Sequence, residues 1–257
     1  MIRMLDIDGH RVEARWWGDD SSDHPVLVLL HEGLGCVDLW KDFPRQLAEK
    51  LSCRVFAYSR LGYGRSDACP LPRPVTFMHK EAREFLPRVL AAAGITSHIL
   101  LGHSDGGSIA LIYAATGPEG LKAVITEAAH VFCESLTLES IAQAKVAYEK
   151  GDLKSRLEKY HGPNTENAFR GWNDVWLNPE FAQWNIRELL PDIGVPVLAI
   201  QGREDPYGTL DQITAVEGAI PHCTTAILDH CGHVPHVQAP KQTMESITRF
   251  LGPPGRH

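Results

Sequence analysis

"ILLGHSDGGSIALIYAA", residues 99–115, runs an apolar segment straight into Gly102-His103-Ser104-Asp105-Gly106-Gly107 and out into a second apolar segment. Ser104 therefore stands where a strand must turn into a helix, confined between glycines. Such a turn is sharp and strained, and bulky neighbours would clash with the strand before it and the helix after it. A hydroxyl placed there projects at the carboxyl edge of a sheet, where open α/β folds bind their ligands. The helix that starts behind it aims free backbone N–H groups, that of Asp105 included, at the same point.

Working outward, the same strand-then-helix alternation fills most of the chain. Strands are expected at 10–18, 25–33, 53–60, 98–104, 121–129, 196–202 and 224–230. Several are continuous Val/Ile/Leu runs, as in strands covered on both faces; the first alternates and fits an antiparallel edge. Helical periodicity covers 39–51, 76–94 and 105–117. The pattern is that of an α/β protein, a mostly parallel sheet with helices on both faces. From Val131 to Pro191 the alternation stops and helical patterns follow one another, with Phe169, Trp172 and Trp176 on one face. Asn178-Pro179 reads as a helix cap with proline at the first position. The expected division is a core of 1–130 and 192–257 with a helical cap inserted at 131–191.

A serine hydroxyl is a poor nucleophile at neutral pH, so it needs a base, and the base needs an orienting acid. Both are expected later in the chain, acid first, at the ends of late strands. "VPVLAIQGREDPYG" (195–208) offers Asp205, with Glu204 beside it. "TTAILDHCGHVPHVQAP" (224–240) offers His233, with Asp229, His230 and His236 as neighbours. The spacing of these three histidines suits a metal only on a helix, which Gly232 and Pro235 interrupt, so no metal and no cofactor is expected.

With these residues the chain resembles the serine hydrolases of the α/β-hydrolase fold, esterase-like and carrying a helical cap, from about residue 25 to the end. "GHSDGG" resembles the family's nucleophile elbow, "GREDPYG" its acid turn, "CGHVPH" its histidine loop and "YSRLGYGRSD" (58–67) its active-site flanking loop. "LLHEGLG" (29–35) resembles the oxyanion loop, with Glu32 where the family usually has glycine. The resemblance implies Ser104, Asp205 and His233 as catalytic residues. It implies Gly33 and Asp105 as oxyanion donors, with Leu34 in place of Gly33 if the loop is shifted by one. Pocket candidates are Glu32, Leu34, Arg60, Trp172, Trp176 and Trp184, Arg60 serving equally as a brace for its loop. The implied reaction is hydrolysis of a small carboxylic ester, lactone or thioester through an acyl-enzyme. A carbon–carbon bond hydrolase of dienoates and a non-catalytic ligand-binding protein are the alternatives. The first usually carries tryptophan after the catalytic histidine, where this chain has Val234. Glu32 and Asp105 either favour a cationic substrate or pair with Arg60, Arg65 or His103.

Composition narrows the partners. The 257 residues are 44% hydrophobic and carry a formal charge of −7, with no basic block for nucleic acid. No apolar run is long enough to span a bilayer, the start has no signal-like core, and six cysteines are scattered without a CxxC pair. A cytoplasmic protein acting on a small molecule is expected, away from membranes, with a homo-oligomer compatible.

Overall fold

Apolar residues at every position give a strand two buried faces, and the central strands use both. In the computed structural model, which describes residues 2–19 and 24–252, β3 (Val26–Leu30) sends Leu27 and Leu29 into one core and Val28 and Leu30 into the other. β4 (Val55–Tyr58) does the same with Val55 and Ala57 against Phe56 and Tyr58. The pattern holds in β5 (His98–His103), β6 (Leu121–Glu127) and β7 (Val197–Gly202). One core is closed by α1 (Phe43–Leu51) and by α10 (Pro240–Leu251), which follows the short α9 (Pro235–Gln238). The other is closed by α2 (Phe77–Lys80), α3 (Leu86–Ala92), α4 (Asp105–Ala114) and α8 (Leu210–Ala219).

With β1 (Ile2–Ile7), β2 (His10–Trp17) and β8 (Cys223–Leu228), the sheet has eight strands in the order β1-β2-β4-β3-β5-β6-β7-β8. The pairs from β4 to β8 are parallel, while β1–β2 and β2–β4 are antiparallel. β2 is antiparallel as expected but is not the edge. β1, missed in the sequence, folds back over it through Asp8-Gly9, whose φ values of 53° and 82° suit a two-residue hairpin turn. The helix expected over 76–94 is interrupted by a π turn at Glu81–Phe85. Pro87 follows that wide turn; in a regular helix it would clash with the Arg83 carbonyl and offer it no N–H.

Between β6 and β7 lie α5 (Ser135–Lys150), α6 (Leu153–His161) and α7 (Thr165–Trp176), which pack on one another, and short 3-10 turns. Tyr148 of α5 stacks on Phe169 of α7 with ring centroids 3.7 Å apart. Asn178 caps the 3-10 turn Pro179–Gln183 by accepting from the Glu180 N–H. This block sits over the carboxyl ends of the strands, because Thr137 and Ile141 of α5 and Trp172 and Trp176 of α7 share a cavity with the residues there. Met1, 20–23 and 253–257, within the expected core ranges, lie outside the described residues. Among the described residues no helix is long and apolar enough to cross a membrane.

Candidate active site

Ser104 joins β5 to α4 with φ 51° and ψ −118°, a conformation costing a non-glycine residue on the order of 1–3 kcal/mol. Several contacts hold it there. The Ser104 N–H donates to the Glu127 carbonyl at 2.8 Å, and the Ser104 carbonyl accepts from Gly107 (2.8 Å) and Ser108 (3.0 Å). The flanking glycines are steric requirements. A Cβ on Gly102 would stand 2.2 Å from the Gly106 oxygen, and one on Gly106 would stand 2.0 Å from the Leu30 oxygen. Strand β3, strand β5 and helix α4 therefore meet backbone to backbone at this point.

The turn after β7 carries Asp205 and the loop after β8 carries His233. Gly202 admits the second loop, since a Cβ there would lie 2.1 Å from the Gly232 oxygen. His233 Nε2 lies 3.0 Å from Ser104 Oγ, and His233 Nδ1 lies 2.9 and 2.8 Å from the two Asp205 oxygens. Asp205 also accepts from Gln201 Nε2 (2.7 Å) and from the Tyr207 N–H (2.8 Å). Burial opposes its ionisation, but the hydrogen bond and charge of His233 prevail and hold the carboxyl below its ordinary range. The competing acids are elsewhere: Glu204 is exposed and faces exposed His230 at 3.5 Å, and Asp229 is paired with Arg203. His236 does not line the cavity. It is buried, donates from Nδ1 to Glu127 Oε2 at 2.6 Å, and packs on Trp40 and Phe43.

The loop after β3 is fixed through its carbonyls. Glu32 O accepts from His31 Nδ1 (2.7 Å), Arg60 Nη2 (2.9 Å) and Gly35 N (3.1 Å), and His31 O accepts from Arg60 Nη1. Leu34 O accepts from Nε2 of His161, at the end of α6, while Nδ1 of the same ring accepts from Gly64 N, both at 3.0 Å. The amides of Gly33, Leu34 and Asp105 donate to no acceptor among the described residues. Gly33 could carry no side chain, since a Cβ would lie 2.1 Å from the Trp172 ring.

A cavity of about 220 Å³ opens beside Ser104. Of the candidates, Glu32, Gly33, Leu34, Asp105, His233, Trp172 and Trp176 stand on its wall. Arg60 and Trp184 do not. Arg60 is buried behind the loop with its guanidinium spent on carbonyls, which makes it a brace. Trp184 stacks on Phe181 behind Trp176, with ring centroids 5.4 Å apart. Sequence reasoning missed His130, Thr137, Ile141 and Tyr207 as lining residues; with His103 and Val234 they complete the wall. His130 follows β6, and a polar residue just past a parallel strand is the signal that was available. Burial, with the His233 charge next, pushes the His130 imidazole down to about 3, so it is neutral. Asp105 accepts from Trp176 Nε1 at 3.1 Å. Burial pushes its carboxyl up to about 6 against the Arg60 charge. A larger open groove of about 1100 Å³ between α1 and α10 surrounds no such nucleophile–base pair.

Comparison with known proteins identifies the family and the fold. The model of a family described as alpha/beta hydrolase fold matches residues 25–187. A proline iminopeptidase of Lactobacillus delbrueckii subsp. bulgaricus is 24% identical, covering 90% of this chain and 91% of the relative. A pimeloyl-[acyl-carrier protein] methyl ester esterase of Aeromonas hydrophila is 26% identical, covering 89% and 96%. Among solved structures, a 2-hydroxy-6-oxo-6-phenylhexa-2,4-dienoate hydrolase from a Rhodococcus strain superposes with a TM-score of 0.83 over 98% of both chains at 18% identity.

Proposed function

We propose, on the premise that the chain belongs to the alpha/beta hydrolase fold family, that it is a serine hydrolase cleaving a small carboxylic ester or a close relative, a lactone or thioester. The observation that carries this reading is the unbroken line from Ser104 Oγ through His233 to Asp205, with steps of 3.0 and 2.8 Å, beside a cavity. His233 takes the Ser104 proton as the oxygen attacks the carbonyl carbon, and Asp205 fixes the tautomer that leaves Nε2 free to do so. The free amides of Asp105 and Gly33, or Leu34, receive the oxyanion; each such donor is typically worth about 2.7–4 kcal/mol of transition-state stabilisation. His233 then returns its proton to the leaving alcohol, and water, activated by the same imidazole, releases the acid.

Two observations favour ester-type chemistry over cleavage of a carbon–carbon bond in a dienoate. A dienoate carries a carboxylate, and no lysine or arginine stands among the described residues lining the cavity. Val234 also follows His233 where tryptophan is usual in those enzymes. The proposed partner is accordingly a small molecule. The test is turnover of p-nitrophenyl butyrate at pH 8 beside a coloured dienoate. The ester should be hydrolysed, and Ser104→Ala should lower kcat by at least about 10³-fold; turnover of the dienoate alone would overturn the reading.

A further inference from the structure

Glu32 is the residue by which this chain departs from the oxyanion loop it resembles, and the structure gives that carboxylate a specific neighbour. Glu32 Oε2 lies 3.5 Å from His103 Nδ1, an ion-pair separation. Gly35 makes the fold-back possible, since a Cβ on it would stand 2.3 Å from the same oxygen. The other nitrogen of the ring, His103 Nε2, lies 2.6 Å from the carbonyl oxygen of His233. One imidazole thus spans three active-site segments: the oxyanion loop, the residue before Ser104, and the residue proposed as the base.

The proton count on that ring follows from its neighbours. A peptide carbonyl only accepts, so Nε2 must carry hydrogen. A neutral ring would then aim the Nδ1 lone pair at a carboxylate oxygen. A second proton turns that repulsion into attraction, and the ring is 1% exposed, where water screens little. The other ionisable groups around it are Glu127 at the end of β6, neutral His130, His233 at 5.2 Å between ring centroids, and His236 edge-on at 5.3 Å. Trp40 covers a further side at 6.5 Å. Glu127 adds to the attraction for a proton.

We propose that Glu32 keeps His103 doubly protonated, and that this charged pair locks the oxyanion loop, the turn at Ser104 and the His233 loop to one another. Glu32 and His103 are positioning residues in this reading. The acid in the loop serves the protein's own imidazole rather than a cationic substrate. The inference rests on the proposed function for its kinetic consequence but not for its proton count. Burial opposes the charge on His103, but Glu32 prevails and raises its proton affinity above the ordinary histidine range; Glu32 itself is held far below the ordinary carboxylate range.

The experiment is a histidine-selective ¹⁵N NMR titration of the full chain from pH 5 to 9, with the His103 signal assigned by its loss in His103→Gln. The wild-type ring should show both nitrogens protonated at pH 7, and in Glu32→Gln it should be neutral there. Should His103→Gln fail to fold, the one resonance that changes protonation state between wild type and Glu32→Gln makes the assignment. In parallel, Glu32→Gln should lower kcat for p-nitrophenyl butyrate about threefold to tenfold with KM within twofold. Glu32→Ala, which cannot replace the bridge, should lose more. A neutral His103 in the wild type at pH 7, or a titration that Glu32→Gln leaves in place, overturns the proposal. Neither outcome depends on Ser104 being the nucleophile, whose failure would instead appear as unimpaired turnover in Ser104→Ala.

Discussion

The two walls of the cavity are built by different means. On the sheet side, Ser104, Asp205, His233 and Gly33 hang from strand ends where main chain touches main chain, with glycines at 102, 106 and 202 because no side chain fits. On the helical side, Thr137, Ile141, Trp172 and Trp176 reach the same space from α5 and α7, which are held by side-chain packing such as the Tyr148–Phe169 stack. The first wall cannot give by a few tenths of an ångström without disturbing the sheet. The second can repack. In the proposed function, chemistry falls on the rigid side and shape recognition on the adjustable one.

That contrast breaks first, if it breaks, at the acid. Asp205→Asn should lower kcat on the order of 10⁴-fold with KM little changed, because it fixes the wrong His233 tautomer; a loss under tenfold in steady-state kinetics would remove Asp205 from the relay. Gly106→Ala should cost about 3 kcal/mol or more, or prevent folding, since its Cβ would meet the Leu30 carbonyl. Urea unfolding measures this, and a variant as stable as wild type would mean that the two backbones can separate.

Asp105 sharpens the comparison, because it joins the walls through Trp176. Its folded carboxyl titrates near 6, above the unfolded value of about 4. The folded state thus binds the proton more tightly, and ionising Asp105 costs stability progressively as pH rises from about 4 to 6, in full above that. Asp105→Asn keeps the acceptor for Trp176 and removes the cost. It should match wild type in stability at pH 4 and exceed it at pH 8 by on the order of 1–3 kcal/mol, measured by denaturant midpoints at the two pH values. The Glu32–His103 pair has a different signature. Glu32 contributes once pH exceeds its unfolded value, about 4.5, and His103 contributes until pH rises through its raised folded value. The pair's share of stability is therefore full between about pH 4.5 and 6.5 and falls in more alkaline solution.

On the helical wall the effects should be smallest. Ile141→Val removes one methylene from the cavity and should cost about 0.5–1.5 kcal/mol in stability. It should shift preference among acetate, butyrate and hexanoate esters by about tenfold, while kcat for the acetate stays within a few-fold of wild type. A collapse of kcat on the acetate would show that α5 positions the chemistry as well as the substrate.

The same difference decides what the sequence made legible. Glycines and strand-end polar residues are local signals, so the turns that carry Ser104, Asp205 and His233 could be located, the family resemblance singled out these three, and the structure brings them together. The hairpin at Asp8-Gly9 was equally local and was overlooked. Arg60 takes the bracing role read beside the pocket one, whereas Trp184 stands off the cavity for a different reason. Periodicity gives the face of a helix or strand, but not which of two buried surroundings that face meets. His161 was unreadable, since its two bonds reach Leu34 and Gly64, about a hundred residues away along the chain. Glu32 was legible as an anomaly with His103 among three possible partners; which of them it meets is set by how two strand ends approach.

The most direct test of the central claim is peptide mapping after labelling with a fluorophosphonate. A serine activated by His233 should carry one phosphonyl group per chain, on the peptide containing Ser104, and His233→Ala should slow its attachment by at least about 10³-fold. Labelling that falls elsewhere, or that proceeds at the same rate without the imidazole, would contradict the account.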